Sequence, residues 1–258
     1  MPRTHRSHEG VSEADLLSVA FPSGGEDIVV EKGGSFPTVE ELLPRHPTSL
    51  SDFLKDPPAT PTPVFSETDQ AHIDALRTKY SIPANVDMIL AGRDFVEVHR
   101  PGYCAFYEYP FVIGYSFPLP PLAEEFCRFY QVCLVQLSPY TLKVLLLLTK
   151  YAELAECEVT VHHLLHLFSP SFHRGTMVHL RHRGTKGLVV GTDNRASHEF
   201  WHKYFFVRTE HVVSDPARFP ERWNENPMGR PPRPIAGIRD WVTRLLPHAA
   251  ETRDWPAL

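Results

Sequence analysis

No apolar run in this 258-residue chain approaches the roughly 20 residues that a bilayer-spanning helix needs. Cysteine is scarce at four residues (Cys104, Cys127, Cys133, Cys157), with no C-x-x-C pair and no secreted-scaffold spacing. That excludes a disulfide framework and points to reduced thiols. The opening MPRTHRSHEG is polar throughout, so no secretory leader is expected and the protein is expected inside the cell, in nucleus or cytoplasm. Phosphate-cradling G-x-x-x-x-G-K-[ST] and G-x-G-x-x-G loops are absent as well. A formal net charge of −5 gives no global basic excess for polyanion binding.

What is present is uneven. Residues 1–100 carry 16 acids against 9 bases, whereas residues 173–208 carry 7 bases against 2 acids. The basic segment can bind the acidic front or meet a polyanion. Proline is abundant at 25 residues and concentrates toward the two ends. Residues 1–65 combine Ser, Gly, Glu and Pro with short apolar islands (LLSVAF, FPTVEELL) and end in DPPATPTPVF. They are expected to form a disordered acidic arm and proline-rich linker, whose islands can dock on a partner.

A helix is predicted from SETDQAHIDALRTKYSI, with Ser66 or Thr68 as N-cap, Ile73, Leu76 and Tyr80 on one face, and Pro83 as its end. The aromatic and β-branched stretch that follows predicts short extended segments. In YSFPLPPLAEEFCRFYQVCLVQLSPYTLKVLLLL, residues 115–148, Pro118, Pro120 and Pro121 lead into a helix ending near Cys133. Leu122, Phe126, Phe129 and Tyr130 share its apolar face, with Glu124, Glu125 and Arg128 opposite. Ser138 then reads as N-cap and Pro139 as first residue of a buried core helix carrying LKVLLLL. TVHHLLHLF reads as a third helix. MVHLRHRG, GLVVGT and FWHKYFFVRTE switch to a period of two, as strands of one small antiparallel sheet would. IAGIRDWVTRLL closes the chain as an amphipathic helix after a proline-studded stretch.

The order FPLPPLAEEFCRFYQV, QLSP, apolar helix, TVHHLLHLFSPSF, YFFVRTE and FPERWNENP resembles the plant gypsy-type transposon domain family over roughly residues 108–228. Its anchors here are Phe117, Pro118, Leu119, Gln136, Leu137, Pro139, Leu167, Phe168, Phe205, Phe206, Pro220 and Trp223; Tyr140 stands where that family usually has Asn. The resemblance implies an origin in retrotransposon-derived reading frames of plant genomes, and no assigned activity.

His162 and His166 have the i, i+4 spacing of a zinc-binding helix, but His163 stands where H-E-x-x-H requires Glu. A third ligand would have to come from His173, His179 or His182. Cys127 and Cys157 sit among apolar neighbours, where a thiol stays inert. The strand block has Asp193 but no acidic pair for two-metal chemistry, and GTDNRAS lacks the glycine of an aspartic-protease loop. Packed or exposed helix histidines are the ordinary alternative to a metal site.

The reading that survives is a basic strand. Arg181 and Arg183 at strand spacing with His179, flanked by Arg174 and Lys186 and followed by Arg195, would contact phosphates. Trp201, His202 or Tyr204 would stack on bases. The alternative is a solvated sheet face balanced by the acidic arm. The sequence therefore predicts an α+β domain over residues 66–228, several helices packed on a small antiparallel sheet, and a proline-rich tail with a short helix over 229–258. Its expected role is a non-enzymatic retrotransposon-derived interaction module, partnered by itself or by RNA or DNA, with no cofactor, membrane or small-molecule substrate. A metal-dependent hydrolase built on the histidines and a relic without activity are the alternatives.

Overall fold

A computed structural model of the chain describes residues 37–43, 65–173, 177–184, 187–189, 202–227 and 231–251. Most of the expected acidic arm and its linker lie outside the described residues. Its island FPTVEELL contributes helix α1 (Val39–Leu42), closed by a capping box between Thr38 and Glu41, with Leu42 in the hydrophobic core. This stretch orders on the chain's own body, with Leu42 buried, Val39 and Leu43 packed against the core and the cap satisfied. Gly184 makes the approach possible: a Cβ there would lie 2.1 Å from the Glu41 carbonyl oxygen.

Helix α2 (Gln70–Lys79) buries Ile73 and Leu76. Its N-cap is Asp69, whose carboxylate accepts the His72 N–H at 2.8 Å, and not Ser66 or Thr68. Ser66 instead donates its hydroxyl to the Tyr204 carbonyl, tying the approach to α2 onto a strand. The helix ends at Lys79, and Ser81 takes a left-handed φ of 52° ahead of Pro83. Strands β1 (Met88–Leu90) and β2 (Tyr103–Tyr107) follow, then the short helix α3 (Tyr109–Val112).

Helix α4 (Pro121–Tyr130) starts at Pro121 and stops earlier than Cys133, because Gln131 turns left-handed at φ 54°. Glu124 is not on a solvent face: it is 1% exposed. The carboxylate tolerates burial because it accepts the Ser214 N–H and hydroxyl and the Asp215 N–H, and pairs with Arg128 at 3.2 Å. Helix α5 (Pro139–Leu154) has Ser138 as N-cap and Pro139 as its first residue, as the sequence predicts. Leu142, Val144, Leu145, Leu147 and Leu148 are buried on it, while Leu146 is only partly so. Helix α6 (Val161–Leu167) follows.

The period-two segments do not form one sheet. Strands β3 (Phe168–His173) and β4 (Met177–His182) form an antiparallel hairpin, in register from Phe168 opposite His182 to His173 opposite Met177. Strand β5 (Tyr204–Arg208) lies between β1 and β2 in a separate three-stranded antiparallel sheet. Periodicity identifies a strand but not its partner, and β5 finds its partners about 100 residues upstream. In GLVVGT the described residues, 187–189, form no strand, although Leu188 and Val189 are buried.

The chain closes with helices α7 (Thr209–Val212) and α8 (Ile238–Glu251). Trp241, Val242, Leu245 and Ala249 of α8 belong to the core, and α8 packs on α5 and α1. The core thus reaches beyond residues 66–228 at both ends. The fold is α+β, helices packed with small antiparallel sheets. Among the described residues no helix is long and apolar enough to cross a membrane.

Candidate functional site

Helix α6 is the obvious place to look for chemistry. Val161, Leu164, Leu165 and Leu167 bury one face, which turns His162, His163 and His166 to the partly exposed side. Thr160 caps the helix, and His163 reaches back to accept the Thr160 N–H at 3.3 Å, filling the place Glu or Gln takes in a capping box. The His163 ring also lies 4.7 Å from that of Trp241 on α8, whose indole N–H donates to the Glu158 carbonyl at 2.9 Å.

His162 and His166 both turn a ring nitrogen to the backbone of one residue, Arg233. His162 Nδ1 accepts the Arg233 N–H at 3.2 Å, while its ring meets Phe129 edge-on at 5.4 Å. His166 Nε2 lies 3.2 Å from the Arg233 carbonyl oxygen, so that nitrogen must carry the proton and donate. One residue of the proline-rich exit is thereby held by two side chains a helical turn apart. Burial pushes the His162 and His163 pKa values down; the charges of Arg233 and His166 add to this at His162, and Glu158 opposes it at His163.

The possible third ligands are placed elsewhere. His182 Nε2 is 2.9 Å from the Tyr140 hydroxyl, and burial lowers its pKa. His179 stacks on Tyr140 at 5.3 Å, with Nδ1 3.2 Å from Ser138 Oγ. The side chain of His173 lies outside the described residues. Among the described residues no group of three or more His, Cys, Asp or Glu is placed to hold a metal ion.

The Ser138–His179 contact has the outline of a nucleophile and its base. Yet Ser138 is 6% exposed, and its oxygen already accepts the Thr141 N–H and meets Thr141 Oγ1 at 2.9 Å. Thr141 in turn donates to the Val178 carbonyl and accepts from the Leu180 N–H. This network ties the start of α5 to β4. Tyr140 is part of it, donating toward the Val189 carbonyl or to His182.

The cysteines are equally committed. Cys104 is 1% exposed and burial pushes its thiol up to about 12; burial also raises Cys127, Cys133 and Cys157. Thiols so raised are neither nucleophiles nor good metal ligands at neutral pH. Beside Cys104, Glu221 gathers the Thr209 hydroxyl, the Gly102 N–H at 3.2 Å and His99 Nε2 at 3.2 Å. It fastens the segment after α7 to the edge of the three-stranded sheet.

Of the basic set, Arg181 stands exposed on β4 opposite Ser169. Arg183 falls beyond the strand end, half-buried, its N–H donating to the Leu167 carbonyl at 2.9 Å. His179 faces α5 rather than joining an open basic face. Arg174, Lys186, Arg195 and Trp201 lie outside the described residues. Tyr204 is no stacking platform: it is 0% exposed inside β5, while His202 is half-exposed.

No protein-family model, curated protein or solved structure matches this chain.

Sequence reasoning missed Arg233 and Glu221. For Arg233 a signal existed: in Pro231-Pro232-Arg233-Pro234 it is the one residue with a backbone N–H. For Glu221 none did, since its partners His99 and Gly102 are far away in sequence.

Proposed function

We propose that this chain is a non-enzymatic interaction module of the retrotransposon-derived kind its motif order resembles, binding single-stranded nucleic acid weakly and without sequence preference. One observation carries the reading: the residues whose types suggest catalysis or metal binding are engaged in holding the fold. His162 and His166 are spent on the Arg233 backbone, and Ser138 on a helix cap. Arg181 is exposed on β4. It sits in the segment of the chain richest in positive charge, where the Arg174, Lys186 and Arg195 side chains would add phosphate contacts.

The test is a titration of labelled single-stranded RNA at several salt concentrations. Each phosphate contact contributes about −0.7 to the slope of log affinity against log salt. Arg181→Glu should weaken binding equally across sequences and flatten the slope by roughly that amount or more. Absence of binding by the unaltered protein at low salt would discard the nucleic-acid reading. Hydrolysis of an ester or phosphodiester that is lost in His162→Ala would discard the non-enzymatic one.

A further inference from the structure

Residues 231–234 read Pro-Pro-Arg-Pro, so Arg233 carries the sole backbone donor of that run. Helix α6 takes hold of that donor and of the carbonyl of the same residue, through His162 Nδ1 and His166 Nε2, each at 3.2 Å. The two bonds respond differently to a proton. His166 donates, and an imidazolium donates too, so protonation leaves that bond in place. His162 accepts through a lone pair that an imidazolium does not have. On protonation its Nδ1–H would face the Arg233 N–H, and acceptor and bond would be lost together.

We propose that His162 is a proton-operated latch: neutral, it fastens the Arg233 N–H to α6, and protonated, it lets that donor go, so that the 231–235 segment is held there by the His166 bond alone. The release is local. Val242 and Leu245 hold α8 in the core at 0% exposure, whereas Pro231, Arg233 and Pro234 are exposed, with Pro232 and Ile235 only partly buried.

The groups around His162 set the direction. On its own helix these are His163 and His166, and on the latched segment Arg233. From α4 the Phe129 ring faces it, while Glu125 is occupied with the Val161 N–H at 2.9 Å. Glu158, ahead of α6, and Trp241 on α8 face His163 instead. Among the described residues no carboxylate faces the His162 ring to favour its charged form. Burial, Arg233 and His166 all favour the neutral form, so the latch is closed at neutral pH and opens on the acid side.

The experiment follows the Arg233 amide in the full-length, nitrogen-15-labelled protein. Its hydrogen-exchange protection is measured from about pH 8 to pH 5, the span around the ordinary histidine pKa. Each value is taken relative to a free Pro-Pro-Arg-Pro peptide at the same pH, with the β5 amides as internal control. Protection at Arg233 should fall roughly five- to tenfold on acidification, as expected for one lost hydrogen bond, while β5 stays protected. His162→Asn places an oxygen that cannot titrate where Nδ1 stood, and should remain protected at both ends of the range. His162→Phe keeps the packing on Phe129 but has no acceptor, and should be unprotected throughout. Wild-type protection that does not change with pH would overturn the proposal. So would a His162→Asn curve that follows the wild type, or full protection in His162→Phe.

Discussion

Helices α5 and α6 follow one another in the chain and are secured in opposite ways. Helix α5 is held mainly by volume: Val144, Leu145 and Leu148 are 0% exposed, while the polar groups at its start cap it and meet His179 and His182 of β4. Helix α6 buries leucines too, but its other side holds the C-terminal segment through imidazoles against backbone groups. Burial of hydrocarbon does not titrate, whereas an imidazole that accepts a hydrogen bond does. The difference teaches that a histidine cluster at metal-like spacing can be a structural fastener, and that such a fastener brings a dependence on pH that an apolar seam lacks.

The largest effect should come from α5. Leu147→Asp puts a carboxylate where the side chain is 2% exposed and should destabilise by about 5 kcal/mol or more, enough to unfold the domain. Leu146→Asp, one position along on the partly buried side, should be clearly milder. Equal effects in urea unfolding would mean that α5 is not seated as described. Next comes Glu124→Ala, which strands the Ser214 N–H, its hydroxyl and the Asp215 N–H and should cost about 3 kcal/mol in the same assay.

The dependence on pH is carried by two histidines of α6 and by His182, which meets Tyr140 of α5. His162, His163 and His182 all have folded pKa values below the unfolded one. In the interval between folded and unfolded values the unfolded chain binds more protons, so stability falls as the pH drops below about 6.5 and is restored as it rises. Thermal unfolding should show a lower midpoint at pH 5 than at pH 7.5, and replacing the three histidines should flatten that slope. The smallest effect is expected at Arg181→Glu, which should move stability by no more than about 0.5 kcal/mol, because exposed charges contribute little.

Local chemistry made part of this legible in advance. Ser138-Pro139 announces the start of α5, and the run LKVLLLL announces its burial, because cap and pattern are properties of neighbours. The α+β class followed from the change of period after α6. What was not legible depends on partners distant in sequence. Glu124 reads as a surface acid until Ser214 is brought to it. Tyr204 reads as an aromatic platform until the Tyr107 ring and the Asp94 carbonyl are brought to its side chain. The pair His162 and His166 reads as half a zinc site because spacing is local, and only the returning Arg233 shows what the two rings hold.

That last assignment is the center of the account, and thermal unfolding at pH 7.5 of the wild type and of a chain with His162, His163 and His166 all changed to Phe tests it most directly. Each protein is melted with a chelator and with added zinc. The account predicts that neither addition moves the wild-type midpoint. It also predicts that the altered chain melts about 4–8 °C lower, as expected for roughly 2 kcal/mol of lost hydrogen bonding in a domain of this size. A wild-type midpoint that falls with chelator and is restored by zinc, or an altered chain as stable as the wild type, would contradict it.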